Sequence, residues 1–128
     1  LSGKRVTIVG RSLVVGKPLA MLCIKRNATV TICHTKTVNL ADTCKQAEIL
    51  IACAGRPRML DHSYIGAQAT VIDVGINMDQ ENKLCGDVDL DSISQTAALA
   101  TPVPGGVGTV TTSVLAKHVI QAAKRMGK

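Results

Sequence analysis

Phenylalanine and tryptophan are absent from these 128 residues, and Tyr64 is the only tyrosine. Hydrophobic residues still make up 46% of the chain, so its core has to be built from Val, Ile, Leu, Ala and Met. Such a core suits buried parallel strands, which read as runs of branched aliphatics rather than as alternating patterns. The missing aromatics also remove the stacking platforms on which single-stranded nucleic acid binders rely. The net charge is +6, from fifteen Lys and Arg against nine Asp and Glu. Its basic residues are scattered and form no nucleic-acid motif, so no nucleic-acid partner is expected. A site for anionic small molecules explains the surplus at least as well. Cys23, Cys33, Cys44, Cys53 and Cys85 contain no C-x-x-C pair and no metal-ligand spacing. They are expected to be reduced packing residues of a cytoplasmic protein, or of a mitochondrial matrix protein. No apolar run reaches the roughly 18 residues a membrane span needs, so no membrane partner is expected. No signal peptide is visible, and the chain starts at Leu1 rather than at a methionine.

What the chain does have is an organising stretch from Arg5 to Pro18, R-V-T-I-V-G-R-S-L-V-V-G-K-P. Val6, Thr7, Ile8 and Val9 are β-branched and too few for a helix of their own, so they predict a strand. Gly10 stops it, and Gly16 with Pro18 starts a helix at the point where first-turn N–H groups lack partners. A strand, a tight turn and a helix N-terminus form a phosphate site, because free amides and the positive helix end face one spot. An ordinary strand-to-helix turn is the alternative. Aligned on Gly10, the G-x-G-x-x-G pattern puts Ser12 on its second glycine and Val15 on its third. Ser12 keeps a pyrophosphate further from the backbone but has a hydroxyl to offer it.

The remaining elements follow in a βαβ rhythm with right-handed crossovers. A helix over Gly16–Arg26 has an apolar body of Leu19, Met21, Leu22, Cys23 and Ile24, with Asn27 as a left-handed cap. A strand over Thr29–Cys33 leads to His34-Thr35-Lys36-Thr37. An NAD site carries an acid about 20 residues beyond its glycine turn, to hold the ribose 2′-hydroxyl. Here no acid occurs before Asp42, while Thr35, Lys36 and Arg11 suit a 2′-phosphate, which points to NADP. The same residues also read as a polar helix entry, with Thr37 or Asn39 capping Leu40–Gln46, and His34 reads as a plain loop histidine. Next come a strand over Glu48–Cys53, a Gly55–Pro57 turn that either exposes backbone to a ligand or simply reverses the chain, and a short helical turn capped by Asp61. Strand Thr70–Val74 contains Asp73, read as a buried structural carboxylate. Met78–Leu84 reads as a loop. A short helix near Leu90–Gln95 and a strand at Leu99–Thr101 follow. The Pro102–Gly108 loop is stiffened by proline and set at a strand's carboxyl end, where ligands bind in open α/β sheets. A final helix spans Thr109–Met126, with Val110, Val114, Leu115, Val119, Ala122 and Met126 along one side. The expected fold is α/β, a Rossmann-like parallel sheet of about five strands with helices on both faces, in one domain over residues 1–128.

V-G-R-S-x-x-V-G-x-P, C-H-T-K-T, V-I-D-V-G-I-N, G-D-V and T-P-V-P-G-G-V-G, in this order and spacing, resemble the C-terminal NAD(P)-binding domain of bifunctional methylenetetrahydrofolate dehydrogenase/cyclohydrolases. The resemblance covers essentially the whole chain. It implies an enzyme that oxidises 5,10-methylenetetrahydrofolate with NADP⁺ and hydrolyses the methenyl product to 10-formyltetrahydrofolate. It implies that Gly10, Arg11 and Ser12 hold the cofactor's phosphates, and that Thr35 stands beside the 2′-phosphate in place of the family's Ser. Ile76 would lie along the cofactor, while Pro104, Gly105 and Gly106 line the cleft where nicotinamide meets folate.

The family's catalytic Lys, the Tyr four residues before it and an Asp at the folate site lie in an N-terminal domain absent from this chain. No Tyr-x-x-x-Lys pattern occurs here, so no catalytic residue is assigned and the chain alone is expected to be inactive. A folate substrate shared with that domain, and a homodimer, are the partners the family implies. The family usually continues its last motif with G-P-M-T, whereas Gly108 is followed here by Thr109, Val110 and Thr111. That departure puts the helix entry and the folate edge of the cleft in question. A non-catalytic nucleotide-sensing module with a degenerate site is the alternative function. A relative of shikimate dehydrogenase is a further one, against which the P-G-G-V-G loop argues.

Overall fold

The computed structural model describes residues 1–127. Five strands form one parallel sheet: β1 (Arg5–Val9), β2 (Thr29–Cys33), β3 (Ile49–Ala52), β4 (Thr70–Asp73) and, after an antiparallel hairpin of β5 (Asn77–Met78) and β6 (Leu84–Cys85), β7 (Leu99–Ala100). Their order across the sheet is β2-β1-β3-β4-β7. β1 therefore has β2 on one side and β3 on the other, and the loops leaving β1 and β3 part to opposite faces. That divergence opens a crevice at the carboxyl edge.

Side chains alternate across the sheet and so build two cores. Val6, Ile8 and Ile51 pack under α1 (Gly16–Lys25), while Val9, Leu50 and Val71 face α2 (Leu40–Lys45) and α3 (Leu90–Ile93). The expected parallel α/β fold is the one observed. α1 differs from its expected packing. Met21, Leu22 and Ile24 are exposed, and the buried stripe is Gly16, Ala20 and Cys23. These positions repeat at one-turn spacing, and their small side chains let the helix axis lie close to the sheet. Asn27 takes the expected left-handed conformation, with φ of +62°.

Three boundaries also differ. The segment read as a loop over Met78–Leu84 carries one arm of the β5–β6 hairpin at each end; arms of two residues are too short to show periodicity. The last helix, α4 (Val107–Met126), begins two residues before Thr109, with Val107 and Gly108 in its first turn. α2 is entered from Asn39 in a left-handed conformation with no side-chain cap, and the Thr37 hydroxyl instead accepts the His34 N–H at 2.9 Å. Asp61 does cap its 3-10 turn (His62–Tyr64), accepting the Ser63 N–H at 2.8 Å.

α4 buries none of its described residues. Val110, Val114, Leu115 and Val119 are all exposed, so its apolar side covers nothing within this domain.

Candidate functional site

Gly10 continues β1 by donating its N–H to the Cys33 carbonyl at 2.9 Å, then turns with φ of +136°. A Cβ at this position would drive into the Cys53 carbonyl at the end of β3. Gly16 is equally constrained, because its Cβ would strike the Gly10 carbonyl. The close helix-to-turn approach that the fingerprint alignment gave to position 15 thus belongs to Gly16, and this turn is one residue longer than G-x-G-x-x-G.

Ser12 closes the turn from inside. Its hydroxyl oxygen accepts the Val15 N–H at 3.0 Å and lies 3.5 Å from the Gly16 nitrogen, and its carbonyl accepts the Lys17 N–H at 3.0 Å. The first-turn amides of α1 are therefore already engaged, which corrects the expectation that the helix end itself meets an anion. The amides left without an acceptor among the described residues are those of Arg11, Ser12, Leu13 and Val14. The Ser12 hydroxyl, used as an acceptor, still has its proton to donate.

The turn walls a pocket of about 780 Å³ at the carboxyl ends of β1, β2 and β3. It brings Gly10, Arg11 and Ser12 together with Thr35 and Lys36 from the β2 end and with Arg56 from the β3 end. Among the described residues, no carboxylate lines it. Among the described residues, Arg11, Lys36 and Arg56 form no ion pair, whereas Arg58 is held by Asp79 at 3.4 Å. His34 shapes the β2 loop, its Nδ1 accepting the Lys36 N–H at 3.1 Å, which agrees with a plain loop histidine. Cys53, which lines the pocket, and Cys44 in the core are poor nucleophiles. Burial, with Asp87 adding to it, pushes Cys53 up to about 11, and burial pushes Cys44 up to about 12.

A second pocket, of about 430 Å³, opens beyond β4 and β7. Ile76, Pro104, Gly105 and Gly106 meet there. Gly105 needs its φ of +97°, and a Cβ on Gly106 would strike the Pro102 carbonyl.

Two carboxylates are buried, Asp73 at the second pocket and Asp87 beside it. Asp73 accepts the N–H groups of Gly75 at 2.8 Å, Asp87 at 3.1 Å and Val88 at 2.9 Å, in keeping with its expected structural role. Asp87 accepts the N–H groups of Ala54, Gly55 and Arg56 and the Asn77 side-chain amide. The Gly55–Pro57 turn therefore points its amides inward, and Gly55 is required by its φ of +67° rather than by any close approach, its Cβ position being open. No local pattern marks Asp87, whose partners lie in a distant loop; the one sequence signal for it is its place in the G-D-V motif. Arg56, which lines the first pocket, likewise reads in the sequence only as part of a turn.

Residues 1–127 match the family described as tetrahydrofolate dehydrogenase/cyclohydrolase, NAD(P)-binding domain. The chain belongs to this family. Among relatives of the tetrahydrofolate dehydrogenase/cyclohydrolase domain, the bifunctional protein FolD of Clostridioides difficile is 55% identical over 97% of this chain, and that of Clostridium kluyveri is 53% identical over all of it. The chain spans only 43% and 45% of the lengths of these two proteins. The crystal structure of FolD from Campylobacter jejuni superposes with a TM-score of 0.91 at 38% identity, covering 97% of this chain and 44% of that one. The Trypanosoma brucei enzyme, complexed with NADP cofactor and inhibitor, gives 0.87 at 38% identity, covering 99% of this chain and 46% of its own.

Against that family, the replacement of Pro-Met by Thr109-Val110 leaves the helix entry closed. The Thr109 N–H donates to the Gly106 carbonyl at 3.1 Å, and its hydroxyl donates to the same oxygen at 2.7 Å. Proline has no N–H to make the first of these bonds.

Acid stability separates the carboxylates of this tetrahydrofolate dehydrogenase/cyclohydrolase domain into two kinds. Burial raises the Asp73 carboxyl above its ordinary value, outweighing its three N–H donors, with Asp87 adding to the rise. The folded state then binds a proton more readily than the unfolded chain, so the stability Asp73 contributes is full below its unfolded pKa and is lost as pH rises through its folded one. Glu48, held by Lys4, Asp61, held by Ser63, and Asp79, held by the Lys83 amide, are lowered instead. Their contributions are present above the unfolded pKa and are lost as pH falls through the folded one. In thermal melts from pH 7 to pH 3, the gap between wild type and Asp73→Asn is expected to move in favour of wild type as pH falls. A gap that moves the other way would overturn the sign assigned to Asp73.

Proposed function

We propose that this chain is the NADP-binding part of an enzyme that oxidises 5,10-methylenetetrahydrofolate to the methenyl form and hydrolyses it to 10-formyltetrahydrofolate. The single observation that carries the reading is the acid-free pocket in which Gly10, Arg11 and Ser12 from the β1 end face Thr35 and Lys36 from the β2 end. The donors there suit the cofactor's anions: unpaired amides over Arg11–Val14 and the Ser12 hydroxyl for the bridging phosphates, and Arg11, Thr35 and Lys36 for the ribose 2′-phosphate. Bound there, NADP⁺ supplies a hydride acceptor.

Ile76 and the Pro104–Gly106 backbone wall the cleft in which nicotinamide and folate meet. Their part is to orient the two reactants for hydride transfer. Water is then added to the methenyl carbon in the hydrolytic step, and a proton is lost. The groups that move protons belong to a preceding folate-binding catalytic domain, with residues 1–128 forming one cofactor domain after it. The exposed apolar side of α4 suits cover by that domain, and a cytoplasmic homodimer is part of the same reading.

Calorimetric titration of the chain with NADP⁺ and NAD⁺ tests the cofactor assignment. Wild type is expected to prefer NADP⁺. Arg11→Ala is expected to remove about a tenfold to hundredfold share of that preference, the value of one hydrogen bond to a charged group. Equal affinity of wild type for the two cofactors would sink the 2′-phosphate argument.

A further inference from the structure

We infer that Arg56 is a specificity residue for the phosphate monoester on the adenosine ribose, acting from the β3 end of the pocket. The inference rests on the cofactor reading above and adds a residue on a different strand. The loops on the two sides of the pocket differ in what they can offer an anion. After β1, the amides of Arg11 to Val14 have no acceptor among the described residues. After β3, the amides of Ala54, Gly55 and Arg56 are all turned inward onto the Asp87 carboxylate, the last two at 3.0 Å and 2.9 Å. Backbone on that side is spent on an internal anion, so the anion-binding group left to it is the Arg56 guanidinium.

That guanidinium is available and the backbone that carries it is anchored. The acids within reach along the chain are engaged elsewhere: Asp61 with Ser63, Asp79 with Arg58, and Asp87 with the loop amides. Arg58, two residues on, is paired to Asp79 and does not line the pocket, whereas Arg56 lines it and is unpaired among the described residues. Asp87 is completely buried, and its bond to the Arg56 N–H holds the Arg56 backbone at the pocket rim before any ligand arrives. A planar guanidinium anchored at its base loses less freedom on binding phosphate than one on a loose loop.

Adenosine 2′,5′-bisphosphate and AMP differ only in the 2′-phosphate, so titrating the chain with both, followed by NMR, isolates this contact from the nicotinamide cleft. Arg56→Ala is expected to weaken the bisphosphate about tenfold or more, as loss of a charge-assisted bond requires, and to leave AMP within about twofold. Arg56→Lys is expected to recover part of the loss, since it keeps charge without the fork. The melting midpoint of Arg56→Ala is expected to stay at the wild-type value, because the side chain is exposed. Equal weakening of both ligands would place Arg56 against the base or the 5′-phosphate and overturn the inference, as would no weakening of either. Arg11→Ala titrated in parallel keeps the two claims apart. If that variant discriminates the ligands as expected while Arg56→Ala does not, only the role of Arg56 falls; if neither does, the cofactor reading falls with it.

Discussion

Asp87→Ala is expected to lower unfolding stability by about 3 to 5 kcal/mol, on the scale of breaking a buried charged network. The carboxylate serves four donors at once, the N–H groups of Ala54, Gly55 and Arg56 and the side-chain amide of Asn77. Alanine leaves all of them without their acceptor in a place where Asp87 itself has no exposure. Because small domains unfold at about 5 to 15 kcal/mol, this one substitution removes a large fraction of the total. Urea denaturation checks it, as a drop in midpoint at unchanged slope. Asp87→Asn is expected to fall between, since its amide keeps one acceptor oxygen but turns an NH₂ toward backbone donors. A loss under about 1 kcal/mol for Asp87→Ala would show that water replaces the carboxylate, and that the β3 loop does not depend on it.

Gly10→Ala is the second large effect, expected at about 3 kcal/mol or more because overpacking and a disfavoured backbone act together. The residue sits at φ of +136° with its Cβ direction aimed into the Cys53 carbonyl. Neither the carbonyl of a central strand nor the turn can move without parting β1 from β3. Gly55→Ala provides the control. Its φ is +67° but nothing lies within 4 Å of the added methyl, so about 1 kcal/mol is expected from conformation alone. Thermal melts of the two variants should therefore differ clearly, and equal losses would mean that the contact with Cys53 relaxes freely. Gly10→Ala should also weaken the proposed NADP binding, because it displaces the turn that carries Arg11 and Ser12.

Much of the fold was legible because its signals are local. The β-branched run Val6–Val9, the Gly10 stop and the Pro18 start lie within fourteen consecutive residues, so one βαβ unit could be read directly. The acid-free stretch after β2 was legible for the same reason, being a matter of what stands at a fixed distance from the turn. Errors arose where pattern and packing part company. Met21, Leu22 and Ile24 look like the body of a core helix, yet the side of α1 that faces the sheet is the one with Gly16, Ala20 and Cys23. The hairpin arms are too short to carry any period.

Residue types and their spacing alone determined the parallel α/β fold, the strand, turn and helix with which it begins, and the family it resembles. They also placed Asp73 in the interior, because it interrupts an apolar strand. Only the folded chain brought Asp87 under residues 54–56, more than thirty positions away, and set Arg56 on the same pocket as Arg11. Strand order decides such meetings. β3 lies beside β1 although β2 separates them along the chain, and no local preference encodes which sheet edge a later loop will reach.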